Sequence, residues 1–284
     1  MTILCIGRAT FDLGYSCPGY PAEDSKLSAT HFWAGAGGSA LNGAVTARAL
    51  GSEVRLKTLL GKGSFADAVR GELALYDVRA EDFADSRAEV LPVSSIIVVP
   101  SGGTRTIVDQ QPVAPVSRKV PDDALDGVSL VYCDGFLPEV AVPVARMARE
   151  AGIPVVLDGG SWKDWTGELV PHVDHAIVSE RFHPPGQGDT DILDAIHALG
   201  PTVAAITRGP NPLEWSDGTQ RGTITPPSVD AVDTLGAGDV FHGAYCHFLA
   251  RGAGVAEALE AACEVAAESC RHYGTREWIS RRTG

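Results

Sequence analysis

Apolar positions along the chain follow two rhythms. Short, nearly unbroken apolar runs read as strands buried on both faces: TILCIG (2–7), VRLKTLLG (54–61), VSLVYCDG (128–135), IPVVLDGG (153–160), HAIVSE (175–180) and TVAAITRG (202–209). Between them lie segments whose apolar residues recur three and four apart, and these predict helices over 39–50, 64–76, 138–152 and 190–200. Gly51 stops the first, and Ser64, with Asp67 three residues on, predicts a cap for the second. Two more helices are predicted at 237–251, closed by Gly252, and at 255–273, closed by Gly274. Strands alternating with helices build a parallel sheet covered on both faces.

Two regions break the alternation. SSIIVVP (94–100) and TRTIVDQ (104–110), separated by a glycine pair, predict a β-hairpin with no helix beside it. Residues 13–33, with Pro18, Gly19 and Pro21, predict irregular chain. Both are assigned to a small β lid built from about 13–33 and 91–112. A second hairpin is predicted at 213–225, turning at Asp217-Gly218. No repeat or linker divides the chain, so 1–284 is read as a single α/β domain.

Charge and cysteine usage narrow the partners. A formal net charge of −13 argues against nucleic acid and anionic membranes. It leaves room for a nucleotide held locally by backbone N–H groups. No apolar run approaches membrane-spanning length, and the first strand meets Asp12 too early for a signal peptide. Six cysteines without a C-x-x-C pair predict reduced thiols and a cytoplasmic protein.

The densest chemistry lies in VDTLGAGDVFHGAY (232–245). In open α/β sheets ligands sit at the carboxyl ends of the strands, where helix N-termini offer unpaired N–H groups. Gly236-Ala237-Gly238 falls at such an N-terminus and predicts an anion-binding nest. A carboxylate beside a nest suits a group that accepts a proton from an attacking hydroxyl, so Asp239 is the candidate base for phosphoryl transfer. Asp158 ends a central strand on the same edge, and His242 is placed to tune Asp239. Other signals are set aside. Gly35-Ala36-Gly37-Gly38 lacks the preceding strand of a dinucleotide fingerprint, which leaves a dinucleotide-dependent oxidoreductase a distant reading. The pairs His172/His175 and His242/His247 do not share a helical face for a metal. Trp162 and Trp165 read as packing, and Arg276, Arg281 and Arg282 as a solvated basic end.

DTLGAGD followed by an apolar helix resembles the C-terminal signature of the PfkB, or ribokinase-like, carbohydrate kinases. GAGGSALNGAVTARALG (35–51) is similar to the family's N-terminal signature. Asp12, five residues after Gly7, is similar to its sugar-binding aspartate, and GGTRTIVD resembles the lid strands of ketohexokinase-like members. The order of these segments covers essentially the whole chain. The resemblance implies a ribokinase-like three-layer α/β sandwich, with a central mostly parallel sheet and a small β lid. It also implies a kinase that uses ATP and Mg²⁺, and a homodimer formed through the lids.

Carried over by position, the resemblance makes Asp239 the base and Gly236, Ala237 and Gly238 the anion hole. Asp12, Gly38, Ser39 and Asn42 would meet the sugar. Thr207, Gly209 and Thr234, with Gly236 and Gly238, would serve ATP, and Asp233 a monovalent cation such as K⁺. Arg105 reads equally as a contact to substrate or phosphate and as a solvated strand arginine. A ketose or ketose derivative is the first choice of substrate. A nucleoside is the runner-up, with Phe11, Tyr15, His31, Phe32 and Trp33 available as a stacking floor. A non-catalytic sugar-binding regulator is the rival class. Four positions depart from the family pattern. Ser179-Glu180-Arg181-Phe182 replaces an Asn-x-x-Glu stretch linked to Mg²⁺, leaving Glu180 as the nearby acid. The stretch 61–66 lacks the usual aspartate and glycine, Ser39 stands where ketohexokinase-like members have asparagine, and Pro210 replaces a glycine near the nucleotide.

Overall fold

The computed structural model describes residues 1–102, 104–110 and 115–282. Gly103 and residues 111–114, which fall in or beside the expected lid hairpin, lie outside the described residues, as does the side chain of Arg282. In chain order the elements are β1 (Thr2–Ile6), β2 (Thr10–Ser16), β3 (His31–Gly37), α1 (Ser39–Ala49), β4 (Glu53–Thr58), α2 (Ser64–Leu75), β5 (Arg79–Asp82), β6 (Val93–Val99) and β7 (Thr104–Asp109). There follow β8 (Val128–Cys133), α3 (Pro138–Glu150), β9 (Val155–Gly159), α4 (Thr166–Leu169), β10 (His175–Ser179), α5 (Ile192–Ala198), β11 (Val203–Arg208), β12 (Asn211–Ser216), β13 (Arg221–Ile224), α6 (Ala237–Ala250), α7 (Val255–Ser269) and α8 (Glu277–Arg282).

Nine strands form the main sheet in the order β13-β12-β11-β10-β9-β8-β1-β4-β5. All neighbours from β11 to β5 pair parallel, and only the β12–β13 hairpin brings antiparallel pairing. Alternate strand residues enter two separate cores. Ile3, Cys5, Leu130, Tyr132, Val156 and Ile177 pack with α1, α2, α6 and α7. Leu4, Ile6, Val131, Cys133, Leu157 and Val178 pack with α3, α4 and α5. That division explains the unbroken apolar runs, since both faces of each strand are covered. From β1 the chain winds outward through β4 to β5, then returns to the far side through β8. The switch point therefore lies between β1 and β8, where a crevice opens at the strands' carboxyl ends.

A second, four-stranded sheet runs β3-β2-β6-β7. Here the sequence reading needs correction. Residues 13–33 are not irregular throughout: β2 and β3 occupy both ends of that stretch, paired from Thr10–Gly37 to Ser16–His31. Gly14, Gly35 and Gly37 dilute the strand pattern, and only the Pro/Gly-bearing connection is loop. β5 was not anticipated. α2 is preceded by Gly63 at its cap position, not capped by Ser64, and α7 ends at Ser269, four residues before the predicted end. The hairpin turn at Asp217-Gly218 is present, with Asp217 accepting from the backbone N–H of Thr219 and Gln220.

The helix pair α1–α6 sets the position of everything that follows. α1 is built of small residues and is buried from Ala40 to Ala47. A Cβ at Gly243 would sit 2.3 Å from the Gly43 carbonyl oxygen and 2.8 Å from the Thr46 Cβ. A Cβ at Gly43 would sit 2.7 Å from the Tyr132 ring. Two backbones and an aromatic ring thus meet without side chains between them, a closeness that only glycine permits. Gly243→Ala should force α1 and α6 apart at a cost of about 1–3 kcal/mol. Thermal denaturation should show a fall of roughly 2–12 °C. An unchanged melting temperature would mean that the crossing has slack.

Candidate active site

One cavity of about 310 Å³ opens at the switch point, between the main sheet and the lid. Its floor is the start of α1 (Gly38, Ser39, Asn42) and the start of α6 (Gly236, Gly238, Asp239), with Asp12, Ser94 and Arg105 from the lid. Sequence reasoning named all of these except Ser94. It also missed Arg8, Thr10, Ile96, Ile107, Asp109, Phe136 and Leu235. The lid residues among them carry a period-two signal: Thr10 and Asp12, Ser94 and Ile96, Arg105, Ile107 and Asp109 all alternate onto one face.

Asp239 occupies the first turn of α6, next to the nest. Gly236 caps the helix at φ 67, a left-handed conformation in which a Cβ is strained, and that Cβ would also lie 2.5 Å from Thr275. The Ala237 N–H is turned back to the Thr234 carbonyl at 3.3 Å, and Ala237 does not line the cavity. One Asp239 oxygen accepts from the Asn42 side-chain amide at 2.7 Å. Burial pushes the Asp239 carboxyl up to about 7, and the negative charge of Asp158 adds to this. The Asn42 hydrogen bond and the His242 ring pull it down, while Asp134 adds a smaller upward push. A carboxyl poised near neutrality takes and gives protons with little bias.

The groups beneath Asp239 are buried and mutually engaged. Asp134 sits at the β1–β8 switch point and accepts backbone N–H bonds from Arg8 (2.8 Å), Phe136 (2.9 Å) and Ala40 (3.0 Å). Burial outweighs those bonds and raises its carboxyl to about 6. Asp158 accepts from the Tyr132 hydroxyl at 3.3 Å and stands 3.5 Å from the His242 ring. His242 faces the Gly238 carbonyl (2.7 Å) and the Ile177 carbonyl (3.2 Å), one from each ring nitrogen. Asp158 therefore stands behind Asp239 and does not line the cavity. Of the other histidines weighed for a metal, His175 pairs with the Tyr245 hydroxyl at 2.7 Å and His247 with Ser52 at 2.8 Å. No group of three or more His, Cys, Asp or Glu that could hold a metal is present among the described residues. The six cysteines are free thiols.

On the lid, Asp12 is buried and accepts from Thr10 at 2.7 Å. Burial raises its carboxyl, against hydrogen bonds from Thr10 and Ser94 and the charges of Arg276 and Arg8. Two contacts draw the lid edge β7 onto the body. Arg8 pairs with Asp109, and Arg105 donates to the Thr234 hydroxyl (2.8 Å) and carbonyl (3.2 Å). Arg105 thus lines the cavity and is not merely a solvated strand residue. The aromatic residues proposed as a stacking floor do not line it. Phe11 and Tyr15 fall on the opposite face of β2, stacked on Phe65 and tilted against Phe32, while His31 stacks on Tyr273. Trp33 fills the space over Gly14 and Gly274.

The remaining assigned residues lie outside the cavity. Thr207, the last residue but one of β11, donates to the Val178 carbonyl, Gly209 follows the strand in a turn at φ 59, and Glu180 is exposed just past β10. Asp233 is buried, and its two oxygens accept from the N–H groups of Leu235 (2.9 Å) and Gly274 (3.0 Å). It ties the glycine loop to the C-terminal segment. Arg276 corrects the sequence reading: it is not solvated but largely enclosed, with Glu72, Asn42 and Ala36 as partners. Arg281 is exposed, as expected. Trp162 and Trp165 pack as expected, the first against Phe182 and the second donating to the Gly135 carbonyl.

The chain as a whole has known counterparts. The pfkB family carbohydrate kinases match residues 2–281, and the chain belongs to that family. It is 25% identical to the ribokinase of Bacillus subtilis (strain 168), over 99% of this chain and 96% of that protein. It is 24% identical to the ketohexokinase of Mus musculus, over 96% and 97%. The solved Arabidopsis thaliana ribokinase complexed with ribose and ATP shares the fold with a TM-score of 0.75 at 19% identity, covering 99% of this chain and 97% of that one. The protein is an ATP-dependent carbohydrate kinase with a ribokinase-like fold. No helix among the described residues is long and apolar enough to cross a membrane.

The electrostatics around Asp239 predict its titration. In ¹³C NMR its carboxyl should titrate near pH 7, and in His242→Phe the midpoint should move to higher pH, because a group that favours the ionised form is gone. A midpoint that stays put or moves down would remove His242 from the tuning of this carboxyl.

Proposed function

We propose that this chain phosphorylates a hydroxyl of a ketose or a ketose derivative, with Asp239 as the base. The observation that carries this reading is the Asp239 carboxyl, raised to about 7, beside the glycine-capped N-terminus of α6 in the cavity. The acceptor hydroxyl gives its proton to Asp239 as its oxygen forms a bond to the γ-phosphorus. The bond from that phosphorus to the β–γ bridging oxygen breaks, and ADP leaves. The Gly236 and Gly238 N–H groups, with the helix dipole, stabilise the charge on the transferring group. Asp12, Thr10 and Ser94 form a hydroxyl-binding wall on the lid, with Gly38, Ser39 and Asn42 opposite. That wall suits a polyhydroxylated ligand better than a flat base, since Phe11 and Tyr15 face away and none of the lid's aromatics lines the cavity. Arg105 bridges the lid to Thr234, next to the nest, and is assigned to the transferring phosphoryl group.

Thr207, Gly209 and Thr234 are assigned to the nucleotide side, on the same carboxyl edge of the sheet. Mg²⁺ neutralises the phosphate oxygens when bound. It is usually held by those oxygens, water and only one or two carboxylates, so Glu180 is assigned to it without a larger cage. Asp233 is assigned to shaping the loop beside any monovalent cation. The lid's outer face carries Phe11, Leu13, Tyr15 and Ile97 half-buried, with Phe32 55% and Val108 66% exposed. Covering that face with a second lid would bury it, and a homodimer is the assembly proposed.

Two measurements test this. ADP release from Mg·ATP, run against ketoses, aldoses, sulfo-sugars and nucleosides, should be stimulated most by a ketose-type acceptor. In Asp239→Asn, kcat should fall at least about 100-fold with the acceptor KM little changed. Equal rates in both proteins would exclude Asp239 as the base, and ATP binding without turnover on any sugar would favour the regulator reading. By sedimentation, the wild-type chain should be a dimer and Val108→Asp a monomer. A wild-type monomer at micromolar concentration would remove the lid-to-lid assembly.

A further inference from the structure

Arg276 reaches the base through one intermediary. Its Nη1 donates to the Asn42 side-chain oxygen at 2.9 Å, and the Asn42 nitrogen donates to Asp239 at 2.7 Å. The rest of the guanidinium is fixed as well. Nε donates to Glu72 at 2.8 Å, Nη2 to the Ala36 carbonyl at 3.0 Å, and Nη1 also to the Thr275 hydroxyl at 2.8 Å. Glu72 in turn accepts from the Ala36 N–H at 2.7 Å.

A side-chain amide has one accepting end and one donating end. Turned over, Asn42 would set its oxygen against an Asp239 oxygen, and that contact favours a protonated carboxyl. An arginine holds its proton throughout the working pH range, so its claim on the amide oxygen does not lapse. We propose that Arg276 is a positioning residue: it locks the Asn42 amide so that the NH₂ always faces Asp239, which keeps the carboxylate ionised and aimed. The consequence for turnover rests on Asp239 being the base. The other groups facing Asp239 are Asp134 and Tyr132 from the β8 side, Asp158 from β9 and His242 from α6. Arg276 itself is faced by Glu72 and the Tyr76 ring from α2 and its C-terminal end, and by Asp12 from β2.

The test separates the lock from the base assignment. Arg276→Met is made together with Glu72→Gln, so that no carboxylate is left buried alone, and is compared with Glu72→Gln alone. Relative to that control, the Asp239 carboxyl should titrate at higher pH by ¹³C NMR. kcat/KM at pH 6 should fall about tenfold and at pH 9 should hardly change. Asn42→Leu should show the same shift, and adding Arg276→Met and Glu72→Gln to it should shift the titration no further. A titration unchanged from the control, or a shift that adds fully to that of Asn42→Leu, would overturn the lock. If the titration moves while the pH profile does not follow it, the lock stands and the base assignment falls. Should the Arg276 variants fold poorly, the wild-type chain decides. One Asn42 side-chain NH₂ proton should be shifted downfield and should track the Asp239 titration. An Asn42 amide signal indifferent to that titration would equally overturn the proposal.

Discussion

The crossing of α1 and α6 is the constraint from which the site follows. Gly243 rests almost on the Gly43 carbonyl, with no room for a methyl group. Asn42 precedes the one glycine, and Asp239 lies one helical turn before the other. The backbone contact therefore delivers a donor and a carboxylate to hydrogen-bonding distance, 2.7 Å, from segments almost 200 residues apart. Side-chain reach alone would not hold that geometry, because short polar residues have little length to adjust. Small residues along α1 are the condition for it, and they explain why this helix is buried nearly all round.

Burial at the crossing has an electrostatic consequence. Asp134, Asp158 and Asp239 gather where the sheet's carboxyl ends meet the two helices, and like charges in a poorly solvated region cannot all ionise cheaply. The structure divides their roles. Asp134 is spent on three backbone N–H groups and joins β1, α1 and the chain after β8. Asp158 is held between Tyr132 and His242. Asp239 faces the cavity with a single amide donor from the protein, and it is raised further than Asp134. Of the three acids, Asp239 is the one that lines the cavity.

Much of this was legible in the sequence, for identifiable reasons. The buried parallel strands announce themselves because both faces are apolar, and the glycine loop because a nest and an acid share one helix start. β2 and β3 were hidden because polar residues and glycines interrupt them, so neither rhythm shows. Thr10, Ser94 and Asp109 were missed for the same reason: each is an ordinary strand residue until the register brings them to one wall. Arg276 read as solvent-facing because its partners come from α1, α2 and β3, and no local pattern records a contact across more than 200 residues. Short-range pattern reveals elements and loop chemistry, whereas the neighbours that tune a side chain come from packing.

The lid shows how one alternation can serve two needs. Its inward residues combine polar groups, Asp12 and Ser94 with Arg105 and Asp109 on β7, with Ile96 and Ile107, and they meet the cavity or the body. Its outward residues, Phe11, Tyr15, Ile97 and Val108, are apolar; Phe11 is partly covered by Phe65, and Val108 is 66% exposed. A four-stranded sheet with one wet face has little core of its own, so it is held chiefly by what it touches. Arg8–Asp109 and Arg105–Thr234 are few and polar, and β7 is the strand they hold. Arg105–Thr234 is exposed and exchanges readily with water or a ligand, whereas Arg8–Asp109 is largely enclosed. β3, by contrast, is fixed through Ala36 to Glu72 and Arg276. The lid is thus anchored at β3 and latched at the far edge by two side-chain contacts, a distribution of strength that would let a ligand enter without disturbing the start of α1 and α6.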